Sequence, residues 1–426
     1  MAIAHAELPS LSHAVFLQRA AQALPLPGGG LQSRLGQGAF LALRLIDLLA
    51  PGREPVHPDA FRYQCAATER FCRDLRVTST EGAHLQSLVT SAEGAQRDGD
   101  VGLLLPGLFA YAHFLEDDLH LEEALDVLGT LRQVGGGRLS AADAIALSLR
   151  SGAVNRKVSR FDDAEQAYLE AGRVAASAGD RRSAFLSRIG RAQCIGGRGN
   201  LPLAEETLRQ ILVDVGGNRD HDIEARVEHD LAVVLQHRGQ PAEALPHVWR
   251  AFELYDDDTL RLRALGDVGL MLLTTGDAAG AERALNEVVR RGGARDIIAN
   301  AMVELMHCAS FRRDQVGFGR WRRRCREAEA DMPPNIAADY HLKAGIGEAR
   351  FGQFNRAGGS MTRALKIATD AGLHEFVFKI ERIKNGLRVC EEALTVAPYT
   401  NAEPVLQSNA VREVSASLAQ LVTEDV

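Results

Sequence analysis

Six short segments recur along this chain at nearly even spacing: "LEEALDVL", "FDDAEQAYL", "LPLAEETL", "QPAEALPHV", "DAAGAERAL" and "FNRAGGSMT". Each holds an alanine at one point of a helical pattern, namely Ala124, Ala164, Ala204, Ala244, Ala281 and Ala357. The first four stand 40 residues apart, the next interval is 37, and the 76 residues from Ala281 to Ala357 leave room for one more unit. Such a period marks a supersecondary unit that cannot bury its apolar face alone and must stack on its neighbours.

The units share more than one alanine. Twelve residues before each anchor stands another small residue (Ala112, Gly152, Ala192, Ala232, Gly269, Gly345), and four after it a large apolar one (Leu128, Tyr168, Leu208, Val248, Leu285, Met361). Five residues before it, Gly199, Gly239, Gly276 and Gly352 recur. The physical unit is a helical hairpin. Two small residues let antiparallel helices approach, the large one fills the groove, and glycine ends the first helix in a left-handed conformation.

This small–small–large pattern resembles the tetratricopeptide repeat over roughly residues 102 to 370. The resemblance implies an all-α fold, a right-handed α-solenoid of stacked antiparallel helix pairs. The family's usual unit is 34 residues, so these helices are expected to run more than a turn longer; the proline that often closes a unit is missing from most. HEAT and armadillo arrays share the unit length, but the pattern of small residues favours the tetratricopeptide reading.

Three regions are expected. Residues 1–100 form a helical N-terminal region of degenerate capping repeats, with segments near 9–24, 31–49, 58–76 and 79–96 separated by "LPLPGGG" and "APGREPVHP". Residues 101–390 form the array of about seven repeats. Residues 391–426 supply a linker and a short amphipathic helix, with Val411, Val414, Leu418, Leu421 and Val422 on one face.

Composition excludes several classes. With 46% apolar and 25% charged residues the chain suits a soluble, folded protein. A net charge of −7 and a pI near 6.0 argue against a general nucleic-acid binder. The six cysteines form no CxxC pair and no metal-ligand spacing. The N-terminus lacks a secretory pattern and no run reaches the ~18 apolar residues of a membrane span, so a cytoplasmic protein is expected.

Catalytic signatures (HExxH, GxSxG, GxxxxGK[ST], a kinase set) are absent from the sequence, and the expectation is a protein without catalysis, cofactor or metal. Gly36 and Gly38 lack the rest of a dinucleotide fingerprint. His221, His229, His237 and His247 are not at the i, i+3 or i+4 spacing of a helical metal site, and the spacing of 8 among the first three makes them drift around a helix.

The resemblance implies a function in binding. In the family, the first helices line a concave wall that grips partners. Matched by position, that wall carries Phe109, His113, Glu116, Arg156, Lys157, Gln193, Arg226, His229, Val233, Gln236, His237, Arg263, Asp339 and Arg350. Its arginines suit carboxylates, so the expected partner is a protein or peptide, acidic in character. The lysine–asparagine carboxylate clamp of some members is not reproduced, which disfavours an EEVD-type tail. The alternative is a regulator like the bacterial peptide-sensing transcription factors, with a helix-turn-helix in the first 100 residues. "LQSRLGQGAFLALRLIDLLA" lacks that motif's compact pattern.

One stretch stands apart. "FRRDQVGFGRWRRRCREAE" (311–329) holds seven arginines around Trp321. Placing Trp321 at the large position puts Gly317 at the anchor and Leu305 at the earlier small position. The helix then buries Phe318, Trp321 and Cys325, and turns Arg320, Arg322, Arg323 and Arg326 outward as a basic ridge for an acidic partner or a second copy of the chain. Arg323 is expected to pair with Glu327, and Arg326 with Glu329.

Overall fold

The computed structural model describes residues 11–25, 29–52, 54, 56–216, 220–394 and 409–424. Every regular element among them is helical. The chain divides into two units, residues 1–198 and 199–426.

The first unit contains α1 (Ala14–Ala23), α2 (Gly30–Asp47), α3 (Pro58–Thr78), α4 (Thr80–Asp98), α5 (Leu105–Asp117), α6 (Leu121–Gly135), α7 (Ala141–Lys157), α8 (Phe161–Ala178) and α9 (Arg181–Gly197). Successive helices pair as α1–α2, α3–α4, α5–α6 and α7–α8, and each later hairpin leans on the one before it. Ser79 alone separates α3 from α4, its hydroxyl accepting the amide of Gly82 at 2.9 Å to cap the second helix. One continuous core runs from Phe16 through Leu43, Leu75, Leu88, Leu108 and Leu128 to Val154.

Two polar devices sit in that core. Arg19 pairs with Glu81 through both carboxylate oxygens, at 2.8 and 2.7 Å, and the Tyr111 hydroxyl donates to Glu81 at 2.9 Å. His13, at the head of α1 with φ 64°, lies between Asp126 of α6 (2.5 Å) and Asp47 of α2 (3.3 Å). Burial opposes its charge, but the two carboxylates prevail and raise its pKa to about 9.

The second unit contains α10 (Leu201–Val215), α11 (His221–His237), α12 (Pro241–Leu254), α13 (Asp258–Thr274), α14 (Ala278–Arg291), α15 (Arg295–Phe311), α16 (Gln315–Ala328), α17 (Pro334–Arg350), α18 (Phe354–Asp370), α19 (His374–Leu394) and α20 (Asn409–Glu424). The hairpins are α11–α12, α13–α14, α15–α16 and α17–α18. Of the C-terminal linker, residues 395–408 lie outside the described residues.

The repeat positions show why these helices pair. All six anchor alanines are at most 1% exposed, and their small and large companions are buried too. A Cβ added to Gly152 would meet the Tyr168 ring at 2.8 Å, one on Gly269 would meet Leu285 at 2.7 Å, and one on Gly345 would meet Met361 at 2.9 Å. The small and large positions, 16 residues apart, are therefore in direct contact. The turn glycines Gly199, Gly239, Gly276 and Gly352 have φ of 86°, 78°, 93° and 75°. Leu119, Ser159 and Arg313 take the same left-handed turn at φ 61° without being glycine.

Arg313 corrects the register of the worn unit by one residue. It occupies the turn position, so the anchor five residues on is Phe318 rather than Gly317. The caps agree: Asp277 accepts the amide of Gly280 at 2.8 Å, and Asp314 that of Gly317 at 2.9 Å. Gly317 thus corresponds to Gly280, one place before the anchor. Phe318 is accommodated because Gly347 of α17 leaves room; a Cβ there would stand 2.3 Å from its ring. Met306, not Leu305, takes the first small position, and Cys325 falls where Ala171, Ala251 and Ala364 stand. Trp321 is still buried, at 5% exposure.

The large position of this unit then belongs to Arg322, which does not face outward with the ridge. Its guanidinium is 2.7 Å from Glu348, a carboxylate with no exposed surface that also accepts the Ser360 hydroxyl at 2.7 Å. Arg320, Arg323 and Arg326 do remain exposed. Arg320 and Arg324 lie over the Trp321 ring at 5.5 and 4.7 Å. Glu329 pairs with His341 and Arg363, both at 2.9 Å, rather than with Arg326.

Candidate functional site

The residues matched to the wall lie on α5, α7, α9, α11, α13 and α17. The first-helix face of the first unit holds a cleft of about 550 Å³ between α5 and α7. Phe109, Ala110, Ala146, Leu149 and Ala153 supply its apolar surface, and His113, Glu116 and Arg150 its polar edge. The alanines matter here, because small side chains on facing helices leave space that larger ones would fill.

The polar edge is an ion-pair cluster. Glu116, only 7% exposed, receives Arg150 at 2.6 Å and Lys157 at 2.8 Å, while Arg150 also lies 3.0 Å from His113. Lys157 is thereby engaged within the chain. Arg156 is half-buried and makes no ion pair among the described residues; its Nε is buried without a hydrogen-bond partner. Gln193 on α9 is half-buried and has polar partners of its own. Arg150 was not among the residues matched to the wall, and its pairing with Glu116, 34 residues away, is a signal at one-repeat separation.

The first-helix face of the second unit follows the same rule. His229 lies 3.2 Å from the Tyr255 hydroxyl and 2.8 Å from Asp267. Arg226 donates to Asp222 at 3.0 Å, and Arg263 reaches Asp296 at 3.5 Å. Gln236 contacts the Thr274 hydroxyl at 3.5 Å, while His237 and Val233 are exposed. Arg350 donates to the Ser310 hydroxyl at 2.8 Å and lies over Phe311.

Between α15 and α17, Lys343 bridges Asp339 (2.5 Å) and Glu304. Burial opposes the lysine's charge, but the two carboxylates hold its pKa above the ordinary range. His307 beside them is pushed down to about 3 by burial and by Lys343, Arg350 and Lys379. It is therefore neutral at physiological pH.

Of the wall's cations, Lys157 and Arg263 are thus engaged by carboxylates one repeat away and Arg226 by one on its own helix. A second ladder joins the hairpin turns. Arg198 reaches Glu165 at 2.7 Å, and Arg238 and Arg312 reach Glu205 and Glu282. Each arginine stands six residues before an anchor, and each glutamate directly follows the previous one. Half-exposed pairs of this kind contribute about 0–1 kcal/mol each; their regularity fixes the stacking register more than it adds stability.

Other groups settle into structural places. His247 lies 2.6 Å from Glu228, and no group of three metal-ligating side chains occurs among the described residues. Cys65, Cys72, Cys194, Cys308 and Cys325 are buried and free. No helix among the described residues is long and apolar enough to cross a membrane.

Fold and site together define an all-α protein of tetratricopeptide-like helical hairpins with a cleft between first helices. No family model and no curated protein matches the chain. Among solved structures it is similar to the apo form of the quorum sensor NprR from B. thuringiensis, at 13% identity and TM-score 0.49, covering 89% of this chain and 97% of that one. A Rap protein complexed with competence and sporulation factor is similar at 10% identity and TM-score 0.44, covering 86% and 99%. A tetratricopeptide repeat protein from Parabacteroides merdae is similar at 13% identity and TM-score 0.41, covering 65% and 98%.

Proposed function

We propose that this chain is a non-catalytic, cytoplasmic peptide- or protein-binding adaptor that receives its partner on the first-helix face, with the α5–α7 cleft as the principal seat. The observation that supports this reading is the cleft itself, about 550 Å³ of largely apolar space bordered by a fixed charge cluster. Burial of one or two apolar side chains there supplies affinity at about 25 cal/mol per Å² of apolar surface, and the polar edge supplies orientation.

An acidic residue beside the apolar one fits best, meeting His113 and Arg150 at the polar edge. Lys157 contributes less than its charge suggests, since a ligand carboxylate must compete with Glu116 for it; in the second unit, Arg226 and Arg263 are likewise engaged by Asp222 and Asp296. The regulator alternative requires a DNA-binding module near the N-terminus. Here α2, α3 and α4 run for 18, 21 and 19 residues and share one core with α5 and α6, which favours the adaptor reading.

Selection of a random peptide library on the full chain tests this. Enrichment of a consensus on the wild type, lost when Ala146→Trp fills the cleft, is the expected result. Equal enrichment on both chains would overturn the assignment.

A further inference from the structure

A second cleft of the first unit, about 350 Å³ in volume, lies between the second helices α6 and α8, with α7 as its floor. Gly129 of α6 opens it. Counted from the anchor alanines, the equivalent residues on α8, α10, α12 and α14 are Leu169, Arg209, Trp249 and Asn286, side chains large enough to fill such a gap. A Cβ on Gly129 would meet nothing within 4 Å, so this glycine leaves room and does not mark a close helix contact.

The floor is polar where three other first helices are apolar. Asn155 stands nine residues before its anchor, and its equivalents on α5, α11 and α13 are Leu115, Leu235 and Leu272, all fully buried. Ser151, four residues earlier, corresponds to Tyr111, Leu231 and Val268, which are fully buried too. Ser151 is itself 6% exposed, and its hydroxyl makes no hydrogen bond among the described residues. Asn155 donates its amide group to the Ser151 carbonyl at 2.9 Å, which leaves its side-chain oxygen as an acceptor for the cleft. On α17 the position of Asn155 holds Glu348, and there Arg322 and Ser360 answer it. The Asn155 oxygen and the Ser151 hydroxyl have no such mates in the described chain. Burying polar groups without partners is costly, so these two point to a partner that enters the cleft.

Charge stands at both ends. Asp163 of α8 and Asn155 of α7 flank the turn between those helices. Arg132 of α6 is nine repeat positions further along the parallel helices, roughly 13 Å at 1.5 Å per residue before side-chain reach is counted. Neither Asp163 nor Arg132 makes an ion pair among the described residues, whereas Glu170 near Arg132 is held by Arg173 at 2.6 Å. The cleft thus offers one free anion and one free cation, with Leu128 and Ala167 between them. We propose that it binds a small zwitterion of the arginine type, a free amino acid whose guanidinium meets Asp163, the Asn155 oxygen and the Ser151 hydroxyl, and whose carboxylate meets Arg132. A planar guanidinium brings five N–H donors to such a group of oxygens, and its aliphatic stem covers the apolar stretch. The volume lies at the lower end of the range for small-molecule sites. An arginine within a polypeptide carries no carboxylate and leaves Arg132 unanswered, which decides for the free amino acid.

Isothermal titration of the full chain at constant ionic strength tests this with L-arginine, its neutral isostere L-citrulline, and N-acetyl-L-argininamide. L-Arginine is expected to bind with a Kd below about 1 mM. The other two should bind at least about tenfold more weakly, one for want of the cation and the other for want of the carboxylate. Gly129→Leu fills the cleft with the side chain that α8 carries at the same point, and the open space around Gly129 lets it fit. That variant should keep its helical circular dichroism and lose arginine binding. Asp163→Asn, at an exposed position, should weaken binding at least about tenfold. No binding of L-arginine at about 10 mM, equal binding of L-citrulline, or wild-type affinity in either variant would overturn the proposal. Binding of the argininamide as tight as that of L-arginine would overturn the free amino acid in favour of an arginine on a polypeptide.

Discussion

His13 shows how one residue ties three helices and sets a pH limit. Its folded pKa of about 9 lies above the ordinary 6.5 because Asp126 and Asp47 outweigh the cost of burial. The stability it adds is fully present below about pH 6.5 and is lost as pH rises through about 9. A shift of this size corresponds to roughly 3 kcal/mol. Denaturant unfolding of wild type and His13→Gln should differ most near pH 6, and the two curves should converge above pH 9. The Arg322–Glu348 pair behaves differently. Arg322→Met alone strands a buried carboxylate and should cost about 3–5 kcal/mol. Replacing both partners by methionine should cost far less, which thermal unfolding of the three chains checks.

At the scale of the element, the contact between small and large positions makes a hairpin a hairpin. Gly269→Val, thrust into Leu285, should lower stability by about 1–3 kcal/mol. Ser159→Gly should raise it by about 0.5–1 kcal/mol, since glycine holds the left-handed turn without a Cβ clash; denaturant midpoints decide both. Such anchor positions were legible in the sequence because a helical hairpin needs the same side-chain volumes at the same points every time. The worn unit was not, because Trp321 attracts the large position by size while the turn at Arg313 and the cap at Asp314 set the register. The aspartate–glycine spacing shared by Asp277–Gly280 and Asp314–Gly317 was the available signal.

At the scale of the molecule, several cations that read as free in sequence are paired within their own unit of the fold. Glu116, Asp267, Asp296 and Glu304 come from neighbouring repeats, 33 to 39 residues from the nearest cation or histidine they engage. A residue-by-residue transfer of the wall named Glu116 and Asp339 but not the Arg150 and Lys343 that engage them, and it had no means of finding the α5–α7 cleft, which depends on how far two helices stand apart. The seat of α20, across α12 and α14, was equally hidden, since amphipathicity announces a buried face without saying where it is buried. Hydrogen exchange of the full chain, with and without a peptide selected from a random library, tests the adaptor reading most directly. Slowed exchange in α5 and α7 is expected; slowed exchange confined to second helices such as α6 and α8, with α5 and α7 unchanged, would contradict it.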